Sequence, residues 1–209
     1  MSKSLITLAA VLVLACAVQA VVELTTIKPG ELVAVSGPGP IGLLCAMLAK
    51  AHGARVVVLG TSGDEGRMAL ARQIGADRTV DVVAEDAKAV IGELTDGYGA
   101  DVVFECAGVE ASAALGLELV RKMGRYTQVG IFGKPIQVDL DKVVVKQVHF
   151  QGSMCHTWAT WEQTMRLLAE GLIDLRPLIS RRLPLGQWED GFQGVLARQD
   201  MKVLLYPEE

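Results

Sequence analysis

The chain has 209 residues, of which 51% are hydrophobic and 21% charged, and its formal net charge is −4. This length can bury a full hydrophobic core and suits one domain, with room for a small appendage. The sequence has no basic patch, which argues against a nucleic-acid partner. The four cysteines are far apart and form no C-x-x-C pair, which argues against a structural zinc lobe. Three lie in apolar runs typical of buried thiols, so a reducing, cytoplasmic setting is expected.

The first 24 residues form an apolar segment with two interpretations. Lys3 precedes residues 5–18, which are apolar except for Thr7, and small residues follow near Ala20. This order is typical of a secretory signal, which makes export the alternative to the cytoplasm. We favour a buried helix that leads into the next domain, because the apolar pattern continues through residue 24. The segment is short for a membrane span, and no membrane partner is expected.

A glycine-rich turn separates a predicted strand at residues 32–36 from a predicted helix at residues 40–52. Its glycines follow the G-x-G-x-x-G spacing of dinucleotide-binding turns, with the strand before and the helix after. The first glycine permits a tight turn, the second lets a pyrophosphate approach the backbone, and the third lets the helix pack closely. The helix N-terminus then faces the phosphate charge. We predict cofactor contacts at Gly37, Gly39, Pro40, Ile41 and Gly42.

Strands and helices alternate through the rest of the chain. The predicted elements are a strand at 55–59, a helix at 65–74, a strand at 79–82, a helix at 87–94, a strand at 101–105, a helix at 111–123 ended by Gly124, strands at 125–130 and 148–152, helical patterns at 161–168 and 188–196, and a closing strand at 202–206. This alternation predicts an α/β fold with a doubly wound, six-stranded parallel sheet of the Rossmann type. We divide the chain into an apolar lead-in helix (1–24), a dinucleotide-binding domain (25–154) and C-terminal helices and a strand that complete it (155–209).

Seven segments of the chain match one family pattern. They are residues 14–21 (LACAVQAV), 27–44 (IKPGELVAVSGPGPIGLL), 71–77 (ARQIGAD), 99–108 (GADVVFECAG), 124–133 (GRYTQVGIFG), 171–180 (GLIDLRPLIS) and 202–207 (KVLLYP). The pattern resembles zinc-type medium-chain dehydrogenases of the alcohol, sorbitol and threonine dehydrogenase group. The resemblance implies the cofactor-binding half of an enzyme that transfers a hydride between NAD(P) and an alcohol or polyol. It also implies remnants of the catalytic domain at both ends of the chain.

The zinc site of this family is expected to be missing here. In the family, an N-terminal domain supplies a Cys and a His-Glu pair, and an L-x-E-P-L-A-C turn adds a Glu in some members. Leu12 and Val13 stand where that turn has Glu-Pro, and leucine cannot bind zinc. Because zinc activates the alcohol as a Lewis acid, we expect no metal ligands, no catalytic residues and little activity from this chain alone. The alternative is a non-catalytic NAD(P)-binding or oligomerisation module from a truncated dehydrogenase.

The choice between NAD and NADP depends on the residues after the second strand. Gly60 stands where an NAD-selective site has Asp or Glu. Thr61 and Ser62 can donate to a 2′-phosphate, and Arg67 can supply positive charge. Arg67 also aligns with an Arg near the adenosine ribose in sorbitol-dehydrogenase-like proteins. We favour NADP over NAD. The alternative is a flexible, solvated turn at residues 61–66, with Arg67 paired only to Glu65 or Asp64.

Further candidate contacts follow the fourth and fifth strands, where ligands reach the carboxyl ends of a parallel sheet. We predict cofactor contacts at Ala107, Gly108, Val129, Gly130 and Ile131. In the family, the loop after the fifth strand reaches the nicotinamide carboxamide through its backbone. Cys106 is expected to be a buried thiol rather than a nucleophile, because no base lies near it in the sequence.

Residues 142–153 are apolar and partly alternating, which predicts a strand segment. They resemble the region that joins subunits in the family. An exposed strand edge at this place would favour a homo-oligomer, or association with a full-length homologue.

Overall fold

Six strands form one parallel sheet. The computed structural model describes residues 3–208, with side chains for residues 11–208. The strands are β1 (Leu32–Ser36), β2 (Arg55–Gly60), β3 (Arg78–Asp81), β4 (Ala100–Glu105), β5 (Val120–Gln128) and β6 (His149–Gly152). Across the sheet the strands lie in the order β3-β2-β1-β4-β5-β6, which reverses between β1 and β4 as in doubly wound dinucleotide-binding folds. The predicted fold class is confirmed.

Helices cover both faces of this sheet. They are α1 (Lys3–Val18), α2 (Pro40–Ala51), α3 (Glu65–Gln73), α4 (Ala87–Leu94), α5 (Glu110–Leu119), α6 (Asp141–Val145), α7 (Trp158–Ala169) and α8 (Trp188–Leu196). Val33 and Val35 of β1 face a core shared with α1 and α2. Leu32 and Ala34 face a second core shared with α4 and α5. The strand is therefore buried on both faces, which explains its continuous apolar run.

The lead-in segment is helical and packs into the first core. Helix α1 continues into a π-helical turn (Gln19–Glu23), and its side chains Leu14 and Val18 are fully buried against α2 and the sheet. Ala20, near the candidate cleavage point, is completely buried as well. Of the described helices, none is both long enough and apolar enough to cross a membrane.

The boundary predicted between α5 and β5 is wrong. The helix ends at Leu119 rather than near Gly124, and the strand begins at Val120. The Lys146 ammonium closes the helix by donating to three carbonyl oxygens at its C-terminus, over 2.7–2.9 Å. Gly124 lies inside β5, where a Cβ would meet the Val120 side chain at 2.7 Å, so glycine permits the close backbone there. A lysine distant in sequence thus ends the helix, and the local pattern does not contain that information.

The segment at 142–153 is not a continuous strand. Residues up to Val145 form α6, and β6 takes up only the last part of the segment. Strand β6 is the last strand of the sheet, and Phe150 stacks on Tyr126 of β5 with ring centroids 4.8 Å apart. Its outer edge has no neighbour among the described strands.

The C-terminal part adds a small second sheet. Strand β7 (Ile179–Pro184) pairs in parallel with β8 (Lys202–Tyr206), and α8 connects them. The sequence predicts β8 but not β7. Two adjacent arginines, Arg181 and Arg182, interrupt its apolar character, so the segment lacks a strand pattern.

Candidate dinucleotide-binding site

The glycine-rich turn has the geometry that its spacing predicts. Gly37 lies in the left-handed region at φ +96°, and a Cβ there would approach the Ala107 amide nitrogen to 2.7 Å. Gly39 is surrounded by open space, so a ligand can approach its backbone. A Cβ on Gly42 would lie 2.0 Å from the Gly37 carbonyl oxygen. Two of the three glycines therefore shape the turn, and the middle one leaves room for a ligand.

Helix α2 begins immediately after this turn. Pro40 occupies its first position, where its missing N–H costs no hydrogen bond, and Ile41 packs beside the first core. The helix N-cap is Gly39, which has no side chain that could accept from the helix amides. The first backbone N–H groups and the positive end of the helix dipole are therefore available to an anion.

A cavity of about 290 Å³ opens beside the turn. Its walls come from the Gly37 turn, the end of β2, the residue after β3, the loop after β4 and the start of α5. The predicted residues Gly37, Gly60, Thr61 and Ala107 line it. Other lining residues are not among the sequence candidates: Asp64, Val82, Val109 and Leu115. Val82 could have been inferred, because it follows β3 at the same edge of the sheet.

Two hydroxyl groups near this cavity donate to carboxylates. Thr61 Oγ1 donates to Asp64 Oδ2 at 2.8 Å, and the Thr61 amide donates to the same oxygen at 3.1 Å. Ser62 Oγ donates to Asp81 Oδ2 at 2.6 Å, and this bond holds the pKa of Asp81 below its usual range. Asp64 is buried, and Arg198 Nη1 lies 3.5 Å from its Oδ1. Neither Asp64 nor Arg198 was among the site residues predicted from the sequence.

Arg67 is not among the residues that line the cavity. Its Nη2 donates to the Asp200 carbonyl oxygen at 3.4 Å, and among residues 11–208 the structure gives its buried Nε no acceptor. Asp200 also pairs with Arg181 of β7, with Nη2 and Oδ2 2.5 Å apart. The structure therefore places Arg67 against the C-terminal segment and does not bring it together with Gly60.

The loops after β4 and β5 are in direct contact. Gly108 has φ +65°, and a Cβ there would approach the Ile131 carbonyl oxygen to 2.6 Å. A Cβ on Gly130 would approach the Gly108 amide nitrogen to 2.3 Å. The amides of Val129 and Gly130 both donate to the Glu105 carbonyl oxygen at 2.8 Å. The structure thus brings the sequence candidates of these two loops together at the carboxyl edge of the sheet.

The cysteines are free thiols, and one of them lies beside this edge. A hydrogen bond with Cys45 and burial raise the pKa of Cys106 well above its usual value. A thiol held neutral in this way is a poor nucleophile. Burial and the nearby Cys155 also raise the pKa of Cys16, whose sulfur lies 3.8 Å from His156 Nδ1.

Metal-ligating groups are dispersed in this fold. Within residues 11–208, no three His, Cys, Asp or Glu side chains come together as a metal site. Leu12 is 46% exposed at the position where the family pattern has Glu, and Val13 packs at the margin of the first core. The described residues therefore do not fit a catalytic zinc ion.

Comparisons with known proteins agree with this geometry. A model of the family described as zinc-binding dehydrogenase matches residues 40–170. The sorbitol dehydrogenase of Halalkalibacterium halodurans is 40% identical over 195 residues, covering 93% of this chain and 57% of that protein. The solved alcohol dehydrogenase of Thermotoga maritima aligns with a TM-score of 0.89 at 30% identity, covering 100% of this chain and 59% of that one.

A second solved structure contains a cofactor. This structure, assigned to the zinc-binding dehydrogenases of Sinorhizobium meliloti and bound to NADP, aligns with a TM-score of 0.83 at 30% identity, covering 95% of this chain and 58% of that one. The chain spans little more than half the length of the relatives it matches. The family model covers most of the sequence, and the fold agrees with the solved relatives. The chain therefore belongs to the zinc-binding dehydrogenase family, and the resemblance inferred from its sequence is confirmed.

Proposed function

We propose that the chain binds a nicotinamide dinucleotide across the carboxyl ends of its parallel strands, as the cofactor-binding part of an alcohol or polyol dehydrogenase. The observation that carries this proposal is the Gly37 turn, which packs on Ala107 and leaves the start of α2 uncapped beside a cavity. The names of the relatives, which include sorbitol and alcohol dehydrogenases, support the substrate class.

In this proposal, each half of the sheet binds one half of the dinucleotide. The pyrophosphate would meet the amides at the start of α2, and the adenosine would enter the cavity beside Gly60 and Val82. The nicotinamide half would then extend over the loops after β4 and β5, because a dinucleotide lies across the point where the strand order reverses. Bound there, the cofactor would accept or donate the hydride.

Alcohol activation requires groups that the described residues do not provide. Zinc bound beside the nicotinamide would supply Lewis-acid chemistry, and residues 11–208 offer it no cluster of ligands. We propose that the ligands for such chemistry come from outside this set of residues. The described part of the chain would then bind cofactor without oxidising an alcohol by itself.

We further propose that the site prefers NAD to NADP, which reverses the preference drawn from the sequence. The hydroxyls expected to meet a 2′-phosphate donate to Asp64 and Asp81 instead, and Arg67 donates to the C-terminal segment. Asp64 places a buried carboxylate in the cavity wall near Gly60. A carboxylate accepts from a ribose hydroxyl and repels a phosphate at the same position.

Titration calorimetry with NAD, NADH, NADP and NADPH tests the proposal directly. We expect binding of the NAD pair with a dissociation constant on the order of micromolar, or about 8 kcal/mol. The NADP pair should bind more weakly, because it must bring its extra phosphate next to Asp64. Absence of heat with all four nucleotides would contradict the proposed function.

A second proposal concerns self-association through the edge of the sheet. Strand β6 has a free edge among the described strands, and Val144 and Val145 of the preceding α6 are more than 70% exposed. We expect light scattering to give the mass of a dimer and Val145→Glu to give a monomer, because a charge at an apolar interface is costly. Val83→Glu is the matched control, since Val83 is equally exposed on another side. A monomer for the unaltered chain would contradict self-association.

A further inference from the structure

Glu105 is a charged residue in the interior of the fold. It is the last residue of β4, and its exposed fraction is 0%. Among residues 11–208, no Lys, Arg or His forms an ion pair with it. A buried carboxylate without a cation is expensive unless hydrogen-bond donors surround it. The hydrogen-bond donors around Glu105 therefore indicate its role.

The donors to this carboxylate come from three elements. Its Oε1 accepts from the amides of Ala107 at 2.9 Å and Gly108 at 3.0 Å, and from Ser112 Oγ at 2.7 Å. Its Oε2 accepts from the Gly108 amide at 3.1 Å and from the Gln128 side-chain amide. One side chain thus joins the loop after β4, the start of α5 and the end of β5.

This network extends to the remaining loops of the site. Gln128 Nε2 also donates to the Gly130 carbonyl oxygen at 2.9 Å, which ties down the loop after β5. Ser112 Oγ lies 2.7 Å from Ser36 Oγ, next to the Gly37 turn. Tyr126 donates to Gln128 Oε1 at 2.9 Å. Burial and the Glu105 charge raise the pKa of Tyr126, so this phenol stays protonated and donates.

We propose that Glu105 is a positioning residue that fixes the loops after β4 and β5 for the nicotinamide half of the dinucleotide. This inference rests on the proposed function. An ionised carboxylate only accepts hydrogen bonds, which suits a position where every neighbour donates. Glutamine has nearly the same shape, but its NH₂ group would face one of these donors. The network would then lose bonds at the loops rather than in the apolar core.

The test compares a full dinucleotide with a ligand that lacks nicotinamide. In Glu105→Gln, we expect the affinity for NADH to fall by about tenfold or more, because bonds to a charged group are lost at both loops. The affinity for ADP should fall by a smaller factor, because ADP lacks the nicotinamide half that meets the loop after β5 and loses only the support that Glu105 gives to Ala107 and Ser112 in the cavity wall. Calorimetry gives both constants, and a purely structural role would lower them together.

Two further variants keep the inference falsifiable. Gln128→Ala removes the bridge to Gly130 and preserves the Glu105 bonds to the loop after β4, and it should change the NADH-to-ADP ratio in the same direction. Asp101→Asn is the matched control, because Asp101 lies at the opposite end of β4 and pairs with Arg121. It should lower stability without changing the ratio.

The outcomes separate the two proposals. Failure of the unaltered chain to bind NADH would overturn the proposed function and this inference together. Normal NADH binding by the unaltered chain, with an unchanged NADH-to-ADP ratio in Glu105→Gln and Gln128→Ala, would overturn this inference alone. If Glu105→Gln does not fold, Gln128→Ala decides the question.

Discussion

Gly42→Ala is expected to abolish measurable dinucleotide binding and to destabilise the fold. The new Cβ would lie 2.0 Å from the Gly37 carbonyl oxygen, so the turn and the start of α2 must separate. Overpacking of this kind typically costs about 1–3 kcal/mol of unfolding free energy. The same displacement moves the helix amides away from the position of the pyrophosphate. Urea unfolding and NADH calorimetry measure the two effects.

Two other glycines serve as controls for this experiment. Gly39→Ala meets no atom within 4 Å and has an ordinary backbone conformation, so its stability should be unchanged. Its methyl group would nevertheless stand where the pyrophosphate approaches, and NADH affinity should fall. Gly66→Ala, in open space on α3, should leave binding unchanged and add up to about 1 kcal/mol of stability. Unaltered unfolding and binding in Gly42→Ala would contradict the described turn.

Asp64→Asn is expected to shift cofactor preference toward NADP by about tenfold, or about 1.4 kcal/mol. The substitution removes the negative charge from the cavity wall, and the asparagine oxygen can still accept from the Thr61 amide. NADP should therefore gain affinity, while NAD loses the stronger acceptor for its ribose hydroxyl. The ratio of the two dissociation constants is the measurement.

Neighbouring charges provide the controls for the Asp64 prediction. Arg198→Ala removes the cation beside Asp64 and should change the ratio in the opposite direction, further against NADP. Asp81→Asn removes a carboxylate that bonds Ser62 at the end of β3, outside the cavity lining, and should have a smaller effect. An NADP-to-NAD ratio that does not change in Asp64→Asn would contradict the assigned role of this carboxylate.

The sheet and the glycine turn could be predicted because their signals are local. Strands β1, β2 and β4 are short, mainly apolar runs, and the glycine spacing records one turn and one helix start. The end of α5 could not be predicted, because Lys146 closes it from elsewhere in the sequence. Asp64 and Glu105 were missed for the same reason. The cation beside Asp64 is Arg198, and a donor to Glu105 is Gln128 of the next strand.

The arginine and aspartate contacts at the end of α8 join the last part of the chain to the cofactor region. Arg198 forms an ion pair with Asp64 in the turn after β2. The Asp200 carbonyl oxygen accepts a hydrogen bond from Arg67 of α3. Asp64 therefore belongs both to the cavity wall and to a contact with the segment that precedes β8. By thermodynamic reciprocity, a nucleotide that stabilises this turn would also stabilise the docking of β7 and β8, and their docking would raise the nucleotide affinity by the same factor. The docking of β7 and β8 would thus become more stable when a cofactor binds, although these strands lie outside the cavity.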